Sequence, residues 1–407
     1  MDVQELRTHF PALSGQIYGK PLVYLDNAAT AERPRSVVDK LVEMSYLHNA
    51  NIHRAVHYTA AEATRIFEET RERIRAFIGA ALPEEIIFTS GTTASVNLVA
   101  STFSEAFLSE GDCVLVCEAE HHSNLVPWQL ACARKGAEVQ SFPILDNGEI
   151  DLEALRSKLS GRVKLVAVAH ISNVLGIVNP LADIVRICHA AGVPVLIDGA
   201  QGIVHEKVDV QALDCDFYAF SGHKMYAATG TGVLYGKKSW LDRLPPYMGG
   251  GEMIATVRFS GTTFAPLPQK FEAGTQNIAA VPSLVPALEM VETMREEPLA
   301  GAYRETGRFL YDALRSDSRI RLFGTPKHAE DKIPLFSFAV EGAHHEDLAL
   351  ILDKMGIAVR SGQMCAEPLM DRLGVTGLIR ASLAPYNSRE EAEYFIRCLD
   401  KAIKMLQ

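Results

Sequence analysis

The chain has 407 residues, 48% apolar and 22% charged, which excludes wholesale disorder and allows about three quarters of the unfolded surface to be buried without staples. Forty Lys and Arg against fifty Asp and Glu give a formal charge of −10, which argues against a nucleic-acid binder held by phosphate contacts. Seven cysteines with no CxxC pair suit a reducing compartment. Neither a signal-peptide pattern at the amino terminus nor an apolar run of bilayer length is present. The reading is a soluble, cytoplasmic chain large enough to be an enzyme, with no membrane and no nucleic-acid partner.

Residues 60–78 place Ala63, Ile66, Phe67, Ile74, Phe77 and Ile78 at helical spacing among Glu and Arg, which predicts an amphipathic helix. Short apolar runs follow at 86–89, 114–117, 163–169, 194–197, 217–220 and 232–235, with helical stretches between them. Such alternation predicts βαβ units: an α/β fold with a mostly parallel sheet flanked by helices. After residue 265 the pattern changes to long helical stretches, strand candidates at 335–340 and 378–383, and a last helix opened by the capping-box spacing of Ser388 and Glu391. The expected division is a large α/β domain over 20–265 and a smaller α+β domain formed by 1–19 with 266–407.

Ligands of such sheets sit beyond the carboxyl ends of the strands, so residues just after each run come first. Asp198 ends the run Val195-Leu196-Ile197; alone, it is also what a helix N-cap requires. Ser221-Gly222-His223-Lys224 follows the 217–220 run, where a lone Lys is most simply a solvated loop residue. Taken together, a Lys amine and a buried acid are what pyridoxal phosphate needs, the first for a Schiff base and the second to keep the pyridine nitrogen protonated. Thr92 and Thr93, behind Ser90-Gly91 at a helix start, are a candidate phosphate anchor, though an ordinary capped helix has the same look. His121-His122 falls at the same sheet edge, where an imidazole could stack on a planar group and move protons. His53 and His57 are four apart, but no HExxH or Cys cluster accompanies them, so no metal site is expected.

Tyr24-Leu25-Asp26-Asn27-Ala28-Ala29, Ala119-Glu120-His121-His122, Asp198-Gly199-Ala200-Gln201 and Ser221-Gly222-His223-Lys224 resemble the class V aminotransferase branch of fold type I pyridoxal-phosphate enzymes. Asn51-Ile52-His53-Arg54, Ile171-Ser172-Asn173, Phe271-Glu272-Ala273-Gly274-Thr275 and the stretch from Arg360 to Met370 resemble the group II, SufS-like cysteine desulfurases and selenocysteine lyases. The likeness runs over nearly the whole chain in order. It implies that Lys224 carries pyridoxal 5'-phosphate, Asp198 pairs with the pyridinium, Gln201 bonds the ring hydroxyl, and His121 stacks on the ring. Thr92, Thr93, Ser221 and His223 would hold the phosphate, joined by Thr275 of a second subunit. Ala28, Asn173, Arg360 and Arg380 would frame the substrate, and Arg54 would reach a neighbouring site, which implies a homodimer.

The resemblance makes Cys365 the sulfur acceptor. Read alone, a Cys is most simply a small buried hydrophobe; beside Arg360 on a loop it is a credible thiolate nucleophile. The implied activity converts L-cysteine to L-alanine. The sulfur passes to Cys365 as a persulfide, then to an acceptor protein of SufE or SufU type serving iron–sulfur cluster or sulfur-cofactor assembly. Selenocysteine lyase, and a transaminase or kynureninase-like enzyme on the same scaffold, are the alternatives. The chain departs from the family pattern twice: Gln363-Met364 stands where the family has His-His, and Ala94-Ser95 where it has Glu-Gly.

Overall fold

The computed structural model describes residues Met1–Gln407. The apolar runs pair into one sheet of seven strands: β1 (Ile86–Thr89), β2 (Cys113–Cys117), β3 (Glu138–Phe142), β4 (Val163–Ala169), β5 (Val195–Asp198), β6 (Phe217–Ser221) and β7 (Gly232–Gly236). Their order is β1-β7-β6-β5-β4-β2-β3. Every strand but β7 runs the same way; β7 is antiparallel to both its neighbours. The carboxyl ends of the other six therefore open on one edge.

Side chains on a strand alternate between faces, and both faces here are covered. Val114, Val116, Leu165, Ala167, Leu196 and Ala219 join one apolar cluster with Val96, Phe103 and Trp128 from helices Thr92–Phe107 and Val126–Lys135. Leu115, Val166, Val168, Ile197 and Tyr218 join another with Phe67, Ile184 and Leu288 from helices Tyr58–Phe77, Leu181–Ala190 and Leu284–Met294. Two-sided burial is why these strands read as continuous apolar runs. Edge strand β3, Glu-Val-Gln-Ser-Phe, is largely exposed and carries no such run.

The opposite edge, β1, turns its outward main-chain groups to an ion pair instead of another strand. Glu272 Oε1 accepts from Phe88 N at 2.8 Å, and Arg71 Nη1 donates to Ile86 O at 2.7 Å. Arg71 Nη1 and Nη2 also donate to Glu272 Oε1 and Oε2 at 2.8 and 2.9 Å. Both side chains are almost fully buried, at 1% and 2% exposure. The arrangement satisfies an edge that would otherwise be open, and it ties helix Tyr58–Phe77 to the segment that leads to Thr275.

Beyond residue 316 a second, antiparallel sheet forms from β8 (Ile320–Phe323), β9 (Leu335–Val340), β10 (Arg360–Gly362) and β11 (Leu378–Ser382), in the order β8-β9-β11-β10. Helices Leu299–Ser316, His345–Lys354 and Arg389–Leu406 pack on it. The last is opened by the Ser388–Glu391 capping box. Strand Val23–Tyr24 pairs in parallel with Ile357–Ala358, so residues 26–29 are delivered to the seam between the two sheets. The amino-terminal segment bridges the same seam: Leu6, Phe10 and Leu13 enter the larger cluster, while Arg7 pairs with Glu391 at 2.8 Å. A hairpin of Ile254–Arg258 and Gly261–Phe264 is exposed along nearly its whole length. No helix is long and apolar enough to cross a membrane.

Candidate active site

A cavity of about 240 Å³ opens at the carboxyl edge of the central sheet, against β10 and β11 of the second one. Thr92 and Thr93 follow β1, His121 follows β2, Asn173 follows β4, Asp198 ends β5, Ser221 ends β6, and His223 and Lys224 follow it. Ala28 and Gln201 line it too, and the second sheet contributes Arg360, Cys365 and Arg380. Every residue the sequence singled out for a site is therefore on one cavity, except Arg54 and Thr275. Thr275 lines a separate cavity with Thr89, Ser90, Ala94 and Gly230. Arg54 is half-exposed and pairs with Glu252 at 2.7 Å.

The phosphate anchor follows from the β1–helix junction. Gly91 turns at φ +148°, a conformation open to glycine. Helix Thr92–Phe107 then starts with no side-chain cap, so its first amides lack intrahelical partners. Ser221 Oγ accepts from Thr92 N at 2.7 Å and lies 2.8 Å from Thr92 Oγ1, while Thr93 Oγ1 lies 2.7 Å from Ser123 Oγ. His223 Nδ1 is engaged by Thr30 Oγ1 at 3.0 Å, which leaves Nε2 free. Amides, hydroxyls and an imidazole thus converge at the positive end of a helix, as an anion requires.

Deeper in, Asp198 is buried and its carboxylate accepts one protein hydrogen bond, from Ala200 N at 2.9 Å. Burial raises its pKa, with Lys224 opposing, so a cationic partner is what this carboxylate lacks. The Lys224 amine makes no hydrogen bond, and burial lowers its pKa, Asp198 pulling the other way; the amine is held toward its nucleophilic form. Gln201 Nε2 donates to Ala28 O at 2.8 Å. His121 Nδ1 accepts from Ser123 N at 2.9 Å, which fixes the proton of the neutral ring on Nε2. Burial, reinforced by Lys224, His122 and Arg380, pushes its pKa down to about 4.

Two arginines face each other across β10 and β11, Arg360 opposite Arg380. Like charges so placed repel, and Asp26 offsets them: Oδ1 lies 3.2 Å from Arg380 Nη2 and Oδ2 lies 3.7 Å from Arg360 Nη1. Arg380 Nη1 donates to Asn173 O at 2.9 Å, while its buried Nε has no partner. A rigid fork with a spare donor suits a carboxylate. The residues present fit pyridoxal phosphate carrying an amino acid: an anion cradle, an uncompensated acid, an amine and an unsatisfied guanidinium.

Of the seven cysteines, Cys365 alone is exposed. It stands at φ +55°, as does Met364 before it, an uncommon conformation for residues other than glycine. Where the family pattern has His-His, Gln363 Nε2 lies 3.2 Å from Glu367 Oε1 and Met364 is buried in the larger cluster. At the other departure, Ser95 Oγ lies 2.8 Å from Thr89 Oγ1, and Ala94 faces the cavity of Thr275. Sequence reasoning assigned no role to three further residues. Asp26 tethers both arginines. Glu120 Oε1 and Oε2 accept from Ala169 N and Asn124 Nδ2 at 2.8 and 2.7 Å, with burial pushing its carboxyl up to about 8. Tyr218 hydrogen-bonds His170 at 2.9 Å beneath the Asp198–Gln201 turn, and a Cβ on Gly199 would stand 2.1 Å from its ring. Asp26 and Glu120 lie inside segments that carry the resemblance, which was the one available signal.

A mixed seven-stranded sheet whose edge presents a lysine, a buried aspartate and an anion cradle defines the fold type I pyridoxal-phosphate enzymes. The Aminotransferase class-V family matches residues 23–395. A probable cysteine desulfurase of Vibrio cholerae is 45% identical over 406 residues, covering the whole of both chains. The crystal structure of the cysteine desulfurase CsdA from Escherichia coli superposes with a TM-score of 0.91 at 38% identity, again over both whole chains. An apo cysteine desulfurase from Thermococcus onnurineus gives 0.93 at 34% identity, covering 99% of this chain and 98% of that one. The chain belongs to the class V aminotransferase family, in its cysteine desulfurase branch.

Proposed function

We propose that the protein is a pyridoxal-phosphate-dependent cysteine desulfurase whose Cys365 takes sulfur from L-cysteine and leaves L-alanine. The observation that carries this reading is the sharing of one cavity by Lys224, Asp198, Arg380 and an exposed Cys365. Pyridoxal phosphate, when bound, supplies an electron sink for the bonds broken at the substrate.

The chain's own residues supply the rest. Lys224 holds the cofactor, and its amine, with a pKa lowered by burial, moves the proton at the substrate's Cα. Thr92, Thr93, Ser221 and His223 would bind the phosphate, Asp198 and Gln201 would orient the ring, and neutral His121 would lie against it. Arg380 takes the substrate carboxylate, with Arg360, Asn173 and Ala28 around it. The Cys365 thiolate attacks the substrate sulfur and the Cβ–S bond breaks. Its electron pair remains with the carbon skeleton, which is protonated to alanine, and the sulfur stays on Cys365 as a persulfide. The balance closes without an added oxidant or reductant.

The reading extends to a homodimer. Thr275 and Arg54 lie off the cavity of their own chain, which supports a role for each in the neighbour's site. The exposure of Cys365 supports transfer to an acceptor protein of SufE or SufU type, for iron–sulfur cluster or sulfur-cofactor assembly. The test is Cys365→Ser in the holoenzyme. Sulfur release from cysteine falls below about 1% of wild type, as expected when a nucleophile is removed, while the cofactor's visible absorbance is unchanged. Release at the wild-type rate would refute the role of Cys365.

A further inference from the structure

The second histidine of the His121-His122 pair has no part in the site as described, yet it touches the Cys365 loop twice. His122 N donates to Cys365 O at 2.7 Å. Its ring Nε2 accepts from Glu367 N at 3.0 Å. Glu367 opens the helix Glu367–Leu373, whose N-cap, Ala366, offers no side-chain hydrogen bond. The imidazole stands in for the missing cap from a segment far away in sequence. One residue thus holds both the carbonyl of Cys365 and the amide two residues beyond it.

The grip matters because the loop is not in a relaxed conformation. Met364 and Cys365 both sit at φ +55°, and such backbone persists only where the surroundings over-determine it. Besides His122, Asn173 Nδ2 donates to Met364 O at 2.9 Å. All three bonds reach across the seam from the central sheet to the second one. They tie the loop to the same β2 and β4 edges that carry His121 and Asn173.

We propose that His122 is a positioning residue for the sulfur-accepting Cys365, acting through the lone pair of Nε2. Accepting from the Glu367 amide uses that lone pair. The two histidines divide the work: His121 lies over the cavity, and His122 registers the nucleophile's loop against it. This inference rests on the reading of Cys365 as sulfur acceptor.

The test compares holoenzymes carrying His122→Phe, which keeps the ring and the main-chain donor but deletes the acceptor, and His122→Gln, which returns a carbonyl acceptor at similar reach. Amide hydrogen exchange over residues 363–368 is read by mass spectrometry, alongside kcat and KM for L-cysteine. His122→Phe is expected to raise exchange at Glu367 and lower kcat, each about tenfold, as for a lost hydrogen bond that aligns a reacting group. KM stays within about twofold because the substrate's own contacts remain, and the cofactor absorbance is unchanged. His122→Gln restores both exchange and kcat. Exchange at the wild-type rate in His122→Phe, or a His122→Gln enzyme as impaired as His122→Phe, would overturn the proposal. The exchange measurement does not depend on turnover, so it separates failure of this inference from failure of the role given to Cys365.

Discussion

The ion pair at the β1 edge makes a quantitative prediction. Arg71→Met removes two bonds to Glu272, one to Ile86 O and two to Glu68. Glu272, 2% exposed, is left with the Phe88 amide as its sole donor. Breaking a buried pair from one side costs about 3–5 kcal/mol, because a charge is left uncompensated. Glu272→Met strands Arg71 in the same way, although Glu68 still serves it, and its cost falls in the same range. The double substitution strands no charge. It orphans the Phe88 amide and the Ile86 carbonyl, at about 1–3 kcal/mol each, offset in part by apolar packing in their place. Its cost is therefore about 2–4 kcal/mol, against about 6–10 for the sum of the singles. Urea unfolding of the four holoenzymes, read from shifts in midpoint at constant slope, measures the cycle. Additivity within about 0.5 kcal/mol, the scatter of independent sites, would refute the claim that the pair acts as one unit closing the sheet edge.

Three further outcomes follow from the packing of the site and the core. Arg380→Lys loses the planar fork and the spare Nε donor, so kcat/KM for L-cysteine falls about 10- to 150-fold, equivalent to about 1.5–3 kcal/mol of charged hydrogen bonding; titration of cofactor binding stays at wild type. Gly199→Ala drives a Cβ into the Tyr218 ring at 2.1 Å, which costs about 1–3 kcal/mol of overpacking and displaces Asp198 and Gln201; dialysis against cofactor-free buffer should show faster loss of pyridoxal phosphate. His205 is pushed down to about 3, chiefly by burial and then by Arg295 and His170. Its folded pKa lies below the unfolded one, so the unfolded chain takes up more protons and stability is lost as pH falls from about 6.5. In His205→Phe the difference in urea midpoint between pH 7.5 and 5.5 should shrink; an unchanged difference would contradict the burial argument.

The fold was legible wherever burial is two-sided. Runs such as Leu165–Ala169 must be apolar at every position, and their spacing revealed both the sheet and the edge where chemistry gathers. Strand Glu138–Phe142 and the hairpin near residue 260 were not legible, because solvent accepts their polar side chains in any conformation. Lys224, Asp198 and His121 announced themselves by following strands. Cys365 needed the family resemblance, since one cysteine resembles another until the chain is folded. Arg71 with Glu272 and Asp26 with Arg380 escaped notice because each pair joins residues far apart in sequence. Periodicity is a local signal and says nothing of such meetings.

The alternation of β5 between the two cores has a consequence for insertions and deletions. Leu196 and Ile197 point to opposite cores, and Asp198 continues the same zigzag with β6 alongside. Removing one residue from Val195–Asp198 turns the acid through half a turn and offers an aliphatic side chain in its stead. Removing two preserves the facing and shortens the reach. Loss of one residue should therefore be the more damaging to the bound vitamin, an odd–even rule that the pleat imposes on the chemistry.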